Sequence, residues 1–561
     1  MRYFIVILTI LGSLRTNGQY VSKIHTFDYV SDHKILKDST NTLMLFDLNS
    51  DSVIIDNDVL IFKNKKSEKS IFFILVDSVV TFKNSSEIFT IDTSKKAGLL
   101  LFDDLTITNK GYWFTFCYTG KNLWINDSLL YQDSASIEGY FCVVKFSKSG
   151  ELLSCWRYPT SRPLIEAKAY PFLNGQTVVS GTTSWNTVQF GQFILPCTGC
   201  HVHDYDVFVA LLDSMGNVVN AKRFGSSLWD YCHDMVTTEK GDIYLTGNYY
   251  YSPFDADKFS ITNDGILEAT SDVFLLKMDK NLNVQWLNKV TGKYSENSIR
   301  LTRDNAGNLY WAVEYNSKEV TYTNTSLQGV NANAFVAKIN PKGEVLWLQN
   351  LTADEVIALR DIDADAAGNL WATVNFGYQF SFAGQTTTTA GGWDNITLQL
   401  AAADGQLLQH FHITGPEQQY LYQVQALTDN GLLLVGTFSS DTLSLLNVDL
   451  PNTAKGDDFL RFFATLELPT VGTTSPSTGE FSPLLLWPNP LGLQSALTVQ
   501  LPAGGGTTAG EVSVYNFMGQ PAGRFPVNPA MRQVLIPPGY FRPGVYTVAY
   551  GPLSGILVVV D

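Results

Sequence analysis

The chain has 561 residues, of which 45% are hydrophobic and only 16% charged, and its formal net charge is −15. That is too apolar for a disordered chain and too evenly spread for a polytopic membrane protein. An acidic surface also repels phosphate backbones and anionic lipid, which argues against nucleic acid or a membrane surface as partner. Aromatic residues make up 13%, with 26 Tyr and 34 Phe, and helix-period runs are scarce, so the expected fold class is all-β. The chain opens with MRYFIVILTILGSL, where Arg2 precedes an apolar run from Phe4 to Leu14. The run is too short for a comfortable membrane span and right for a signal-peptide core, so residues 1–18 are assigned to a signal peptide cleaved near Gly18–Gln19.

Beyond it, the chain repeats itself. One strand-like unit recurs as GYWFTF from Gly111, GQTVVSG from Gly175, GDIYLTG from Gly241, GNLYWAV from Gly307, GNLWATV from Gly368 and GLLLVGT from Gly431. Each glycine stands where a turn hands over to a strand and accepts the positive φ needed there. A degenerate copy, NTLMLF from Asn41, lacks the glycine. A second unit follows each first unit by about 30 residues: SIFFILVD (70–77), YFCVVKFS (140–147), DVFVALLD (206–213), DVFLLKMD (272–279), NAFVAKIN (333–340), DNITLQLA (394–401) and DFLRFFAT (458–465). A turn comes next, with Gly150, Gly216, Gly343 or Gly405, and several copies continue into a strand bearing Trp156, Trp286 or Trp347.

Sheets of about four short strands cannot cover both of their faces alone and do so by stacking, which in a ring leaves few exposed edges. The last copy never makes the Trp-bearing strand, whereas QYVSKIHTFDYVSD (19–32) is a lone strand before the first complete copy. This N-terminal strand is expected to complete the last blade and fasten the ring. The pattern resembles the seven-bladed β-propeller repeat family of secreted bacterial proteins, with residues 33–466 carrying the resemblance and 19–466 as the propeller domain.

After Leu468, residues 467–483 are rich in Pro, Thr, Ser and Gly and read as a flexible linker. Short alternating segments follow, ALTVQL (496–501), EVSVYNF (511–517), QVLIP (533–537), GVYTVAY (544–550) and ILVVV (556–560), as in a small β-sandwich spanning 484–561. Trp487-Pro488-Asn489-Pro490 opens this segment, VSVYNFMGQ carries a turn at Met518–Gly519, and Gly544-Val-Tyr546 precedes the final strand. Together these closely resemble the C-terminal sorting domain (type A) of type IX secretion cargo, with Asn516 where Asp is usual and no basic residue before the terminal ILVVVD. The resemblance implies export across the outer membrane of a Gram-negative bacterium, with the type IX translocon and its sortase as partners. The protein would then be released or held at the cell surface.

Candidate chemistry is thin. Cys197-Thr-Gly-Cys200-His201 fits the C-x-x-C-H attachment sequence of c-type haem, and with His203 the same residues offer four zinc donors. They occupy a loop where the other copies carry ordinary polar residues, so a loop of free or disulfide-linked thiols is the preferred reading. The other cysteines are Cys117, Cys142, Cys155 and Cys232, whose pairing spacing does not decide. Asp361, Asp363 and Asp365 before Gly368 mimic a calcium loop without the EF-hand spacing, and an ordinary turn is preferred. His410 and His412 share one face of a strand, read as a solvated face. No nucleophile elbow, phosphate loop or dinucleotide fingerprint is present, and no catalytic residue, cofactor or metal is assigned. The expected function is therefore non-catalytic binding of an extracellular protein or glycan, or a structural role. A polysaccharide-directed hydrolase with its site in the propeller channel is the alternative.

Overall fold

The computed structural model describes most of residues 100–466, strands within 20–92 and segments of 485–560, with side chains described for most of 111–466 and for parts of 496–550. Among the described residues the chain is all-β, its one helical element being a single 3-10 turn at Leu173–Gly175. No helix there is long and apolar enough to cross a membrane. Two compact units emerge, one comprising Lys23–Leu466 and the other including Glu467–Asp561.

The first unit is built from one motif: four antiparallel strands in sequential order, with a small hairpin thrown out between the second and third. Strands Ile165–Pro171, Thr177–Ser184, Tyr205–Leu212 and Val218–Phe224 form one such sheet, with Val188–Phe190 and Phe193–Leu195 as its hairpin. Strands Asp230–Thr237, Ile243–Tyr249, Asp272–Met278 and Val284–Gly292 repeat it, as do Glu296–Arg303, Leu309–Tyr315, Ala332–Ile339 and Val345–Ala353. The repeated sequence units are the second and third strands, which are apolar on both faces because each sheet is covered by its neighbours.

The first strands of successive sheets pack against one another, and the second strand of each sheet packs on the first strand of the next, giving a propeller-like arrangement with the first strands innermost. In the sheet that holds Gln419–Ala426, Gly431–Phe438 and Leu460–Glu467, the fourth position is taken by Tyr20–Phe27. Strand Val30–Lys37 in turn lies close to Gly431–Phe438.

The turns follow the glycines. Gly175, Gly241, Gly307 and Gly368 have φ of +78, +90, +86 and +83°, a region that residues with a side chain rarely enter. Several turns are locked by an aspartate four residues before an asparagine: Asp213 Oδ1 accepts the Met215 and Asn217 N–H groups at 2.8 Å each, and Asp365 Oδ1 accepts those of Ala367 and Asn369 at 3.0 and 2.8 Å. The recurring tryptophans and the later glycines explain each other. A Cβ on Gly216 would lie 2.4 Å from the Trp156 ring, and one on Gly405 2.7 Å from that of Trp347, so each indole on a fourth strand is seated on the turn of the following sheet. Trp286 and Trp347 also donate across that seam to Pro341 O and Ala402 O, both at 3.2 Å.

In the second unit, Leu485–Trp487, Leu497–Gln500 and Gln533–Ile536 form one sheet, and Leu491–Gly492, Leu553–Val560, Gly544–Tyr550, Gly510–Asn516 and Pro521–Val527 another. Leu497, Val499, Val534 and Ile536 from the first share one apolar cluster with Val512, Val514, Val527 and Val548 from the second.

Candidate functional site

The innermost strands are sheet edges, with backbone groups that no further strand pairs. Side chains of the preceding sheet supply partners instead. Thr182 Oγ1 accepts the Cys232 N–H at 2.9 Å, Asn248 Oδ1 that of Ser298 at 3.0 Å, Glu314 Oε1 that of Leu359 at 2.7 Å, and Asn375 Oδ1 that of Leu421 at 3.1 Å. A second tier joins inner strand to inner strand: Asp234 Oδ2 accepts the Leu301 N–H at 2.8 Å, Asp361 Oδ2 that of Val424 at 3.1 Å and Asp363 Oδ2 that of Ala426 at 2.9 Å. These contacts satisfy edge groups that would otherwise cost free energy and invite aberrant pairing. Charge alternates along the tier. Lys168 pairs with Asp234 at 2.7 Å, both nearly buried, and Arg300 with Asp361 at 3.3 Å.

The same strands share a second feature. Their pairing with the second strand is interrupted by a one-residue bulge between Cys232 and Asp234, Ser298 and Arg300, Leu359 and Asp361, and Leu421 and Gln423. A bulge re-aims the extra side chain, and bulges are common next to binding sites. The residue so displaced differs in every copy: His233, Ile299, Arg360 and Tyr422. Arg360 and Tyr422 are exposed, His233 and Ile299 half-buried. The joints therefore recur in position and role, while the bulge changes chemistry from sheet to sheet.

Aromatic rings gather beside two of the bulges. Tyr205, Tyr231 and His233 stack at centroid distances of 5.4 and 6.1 Å, with Tyr250 and the exposed Trp229 edge-on to this group. At the second bulge, Tyr420 lies 6.4 Å from Tyr422, 5.6 Å from Trp393 and 5.9 Å from Phe459. The Tyr420 hydroxyl donates to Gln418 Oε1 at 2.7 Å, and the Tyr422 hydroxyl lies 3.0 Å from Thr437 Oγ1, so both rings are fixed before any ligand arrives.

Carboxyl groups with the most perturbed acidity sit in the joints. Burial raises Glu296 to about 8, with Asp272 beside it adding to the effect, and burial likewise raises Asp272. Both are fully enclosed; Glu296 accepts the Ser317 hydroxyl and Asp272 the Asp264 N–H. Burial also raises Glu314 and Asp363 to about 7 each. The enclosed Asp272–Glu296 pair offers no open approach for a substrate, which a pair of catalytic carboxyls requires.

The residues singled out in the sequence disperse. Asp361 and Asp363 hold inner strands together and Asp365 locks its turn, so these three carboxylates do not converge on one point. His410 and His412 lie on the outer strand Leu407–Ile413, where His412 Nε2 is 3.2 Å from Asp394 Oδ2 and Nδ1 is 3.3 Å from Thr387 Oγ1. The solvated-face reading thus needs correction at His412, because the long strand Gln385–Leu400 brings both partners to it. Cys117, Cys142, Cys155 and Cys232 form no disulfide with one another. Cys197, Cys200, His201 and His203 fall outside the described residues, as do Pro488, Asn489, Pro490 and Gly519. Trp487 ends the strand Leu485–Trp487, Gly544 begins the strand Gly544–Tyr550, and the Tyr546 hydroxyl donates to Arg542 O at 3.0 Å. Among the described residues no three His, Cys, Asp or Glu side chains gather as a metal site would require. The joints and bulges went unnoticed in the sequence, although polar residues at 182, 248, 314 and 375, and charges at 168, 234, 300 and 361, repeat at the spacing of the sheets.

No family model matches the chain, and no curated protein matches it either. Among solved structures it is similar to a polysaccharide lyase, an ulvan lyase, at 10% identity and a TM-score of 0.32, covering 64% of this chain and 81% of that one. A neuraminidase-like protein from A/bat/Guatemala/164/2009 aligns at 12% identity and a TM-score of 0.31, over 78% of this chain and 89% of the other. The quinohemoprotein alcohol dehydrogenase of Comamonas testosteroni aligns at 10% identity and a TM-score of 0.29, over 85% and 80%. Likenesses this loose carry no argument about chemistry; the all-β, propeller-like class rests on the sheets themselves. No particular protein is singled out by these likenesses.

Proposed function

We propose that the chain is an extracellular seven-bladed β-propeller that binds its ligand without turnover on the inner-strand side. One observation carries the binding reading: four successive inner strands keep the same joints yet present His233, Ile299, Arg360 and Tyr422 at the same bulge. The bulge releases this position from the sheet's own pairing, which leaves Arg360 and Tyr422 exposed on the inner-strand side and available to a ligand. The neighbouring strands Tyr20–Phe27 and Leu460–Glu467 support closure of the ring by the N-terminal strand, in the manner of a clasp.

In the same proposal, residues 1–18 are an export signal and 484–561 a β-sandwich that addresses the protein to the type IX translocon and its sortase. The motif residues Trp487, Pro488, Asn489, Pro490, Gly519, Gly544 and Tyr546 support that assignment. The protein then acts at the outer surface of a Gram-negative cell or free in the medium, toward a protein or glycan.

The test is expression of the full chain, and of a version lacking 484–561, in a bacterium that has this translocon. The full chain is expected at the surface or in the medium and the truncated one in the periplasm; equal export of both would refute the address. Incubation of the purified protein with polysaccharide mixtures is expected to give retention without new reducing or unsaturated ends. Product formation abolished by one acidic substitution would replace the binding reading with the hydrolase one.

A further inference from the structure

On the inner strands Lys168 pairs with Asp234 and Arg300 with Asp361, and the half-buried Arg303, without an ion pair among the described residues, ends its strand at a turn. Arg360 differs. It stands on a bulge, it is exposed, and no carboxylate among the described residues lies within ion-pair distance of it. Its field reaches Tyr420, whose acidity it raises against the opposing effect of burial, and Glu314. Glu314 accepts the Leu359 N–H, burial drives it toward the uncharged form, and it makes no ion pair with Arg360.

The next inner strand sets Tyr420 and Tyr422 in the same neighbourhood, ring planes inclined by only 23°. Tyr422 is 41% exposed and Phe459, against Tyr420, is 39% exposed. Since both tyrosine hydroxyls are engaged by Gln418 and Thr437, what remains for a ligand is largely ring surface. Pre-positioned aromatic rings suit the flat C–H face of a pyranose, and they lose little side-chain entropy on binding. An unpaired guanidinium beside them supplies a planar fork for a carboxylate or sulfate. Nucleic acid also combines ring faces with an anion, but it needs a basic track along its backbone, which a chain of net charge −15 lacks.

We propose that Arg360, Tyr420 and Tyr422 form a subsite for an acidic saccharide, with Arg360 taking the carboxylate or sulfate and the two tyrosines the sugar ring. The inference rests on the binding reading above and gives it a ligand class. Arg360 sets the preference for charge; Tyr422 contributes to any sugar that stacks.

The test is calorimetry on the purified mature chain with a uronic-acid oligosaccharide, a sulfated oligosaccharide and a neutral one of equal length. At least one acidic ligand is expected to bind, and to weaken as salt is raised, because an exposed charge pair is screened. Arg360→Gln is expected to weaken that ligand by about ten- to a hundredfold, the range of a hydrogen bond to a charged group, and to leave the neutral control unchanged. Tyr422→Ala is expected to weaken both, with thermal melting confirming that each variant folds; the arm that responds tells carboxylate from sulfate. Preference for the neutral ligand, full affinity in Arg360→Gln and Tyr422→Ala, or no acidic saccharide bound would each overturn the proposal. If pull-down recovers a protein that His233→Ala or Tyr422→Ala releases while no saccharide binds, the acidic-saccharide site falls and the binding reading stands.

Discussion

The joints between sheets and the bulges beside them belong to the same strands, yet they obey opposite rules. At the joints, Thr182, Asn248, Glu314 and Asn375 do one task with three different side-chain types, capping an N–H of the next sheet. At the bulges, His233, Ile299, Arg360 and Tyr422 share a backbone position and have no common chemistry. The difference separates what holds a repeat architecture together from what it is free to use. A position that must satisfy a neighbour's backbone tolerates only groups that can accept a hydrogen bond. A position pushed off the sheet is released from that demand.

Substitutions can break this contrast or sharpen it, and the largest effects belong to the seams. Gly216→Val is expected to abolish soluble protein, because its Cβ would meet the Trp156 ring at 2.4 Å on a backbone with φ of +86°. Gly307→Ala, with the same φ of +86° and open space around it, is expected to cost only about 1–2 kcal/mol. Similar losses in both would show that backbone conformation, not the tryptophan seat, sets these glycines. Asp234→Ala strands the buried Lys168 and the Leu301 N–H, and a loss of about 3–5 kcal/mol in denaturant unfolding is expected. A loss below about 1 kcal/mol would mean that the inner tier is decorative.

Glu314 gives a smaller, pH-dependent effect. Its folded-state pKa, about 7, is raised above its ordinary value of 4.5, so the folded form holds a proton that the unfolded form has released. Its favourable share of stability is complete below about 4.5 and is lost as pH rises toward about 7, where the folded group ionises in its turn. Glu314→Gln, like the Asn residues at the equivalent joints, is expected to flatten part of the fall in melting temperature between pH 5 and pH 8. An unchanged pH profile would count against a buried, protonated joint. The smallest effect on folding is expected at the exposed bulge residue: Arg360→Gln should move stability by less than about 0.5 kcal/mol, the range for surface sites. A large loss there would place this bulge among the joints and remove the ground for a binding role.

Much of the scaffold was legible because its signals are local. The recurring glycines announced turns, and the apolar runs of the second and third strands announced sheets covered on both faces. Trp286, Trp347, Gly343 and Gly405 were visible as a pattern, but only the fold shows that the indole of one sheet lies on the glycine turn of the next. The joints were harder to see. Asp234 and Leu301 are 67 residues apart, and nothing near either position foretells their hydrogen bond. Asp361, Asp363 and Asp365 looked like one cluster because they are close in sequence, whereas the alternation of a strand and the onset of a turn send them to different partners.

By itself, then, the amino-acid order determined an all-β chain of repeated sheets, since strand alternation, turn glycines and apolar runs act between residues only a few positions apart. Which side chains close the seams, that Arg360 stands exposed without an ion-pair partner among the described residues, and which rings stand beside it were decided by tertiary structure. These properties depend on strands separated by 60 residues or so in the chain being held within a few ångströms of one another, a proximity that no local preference encodes.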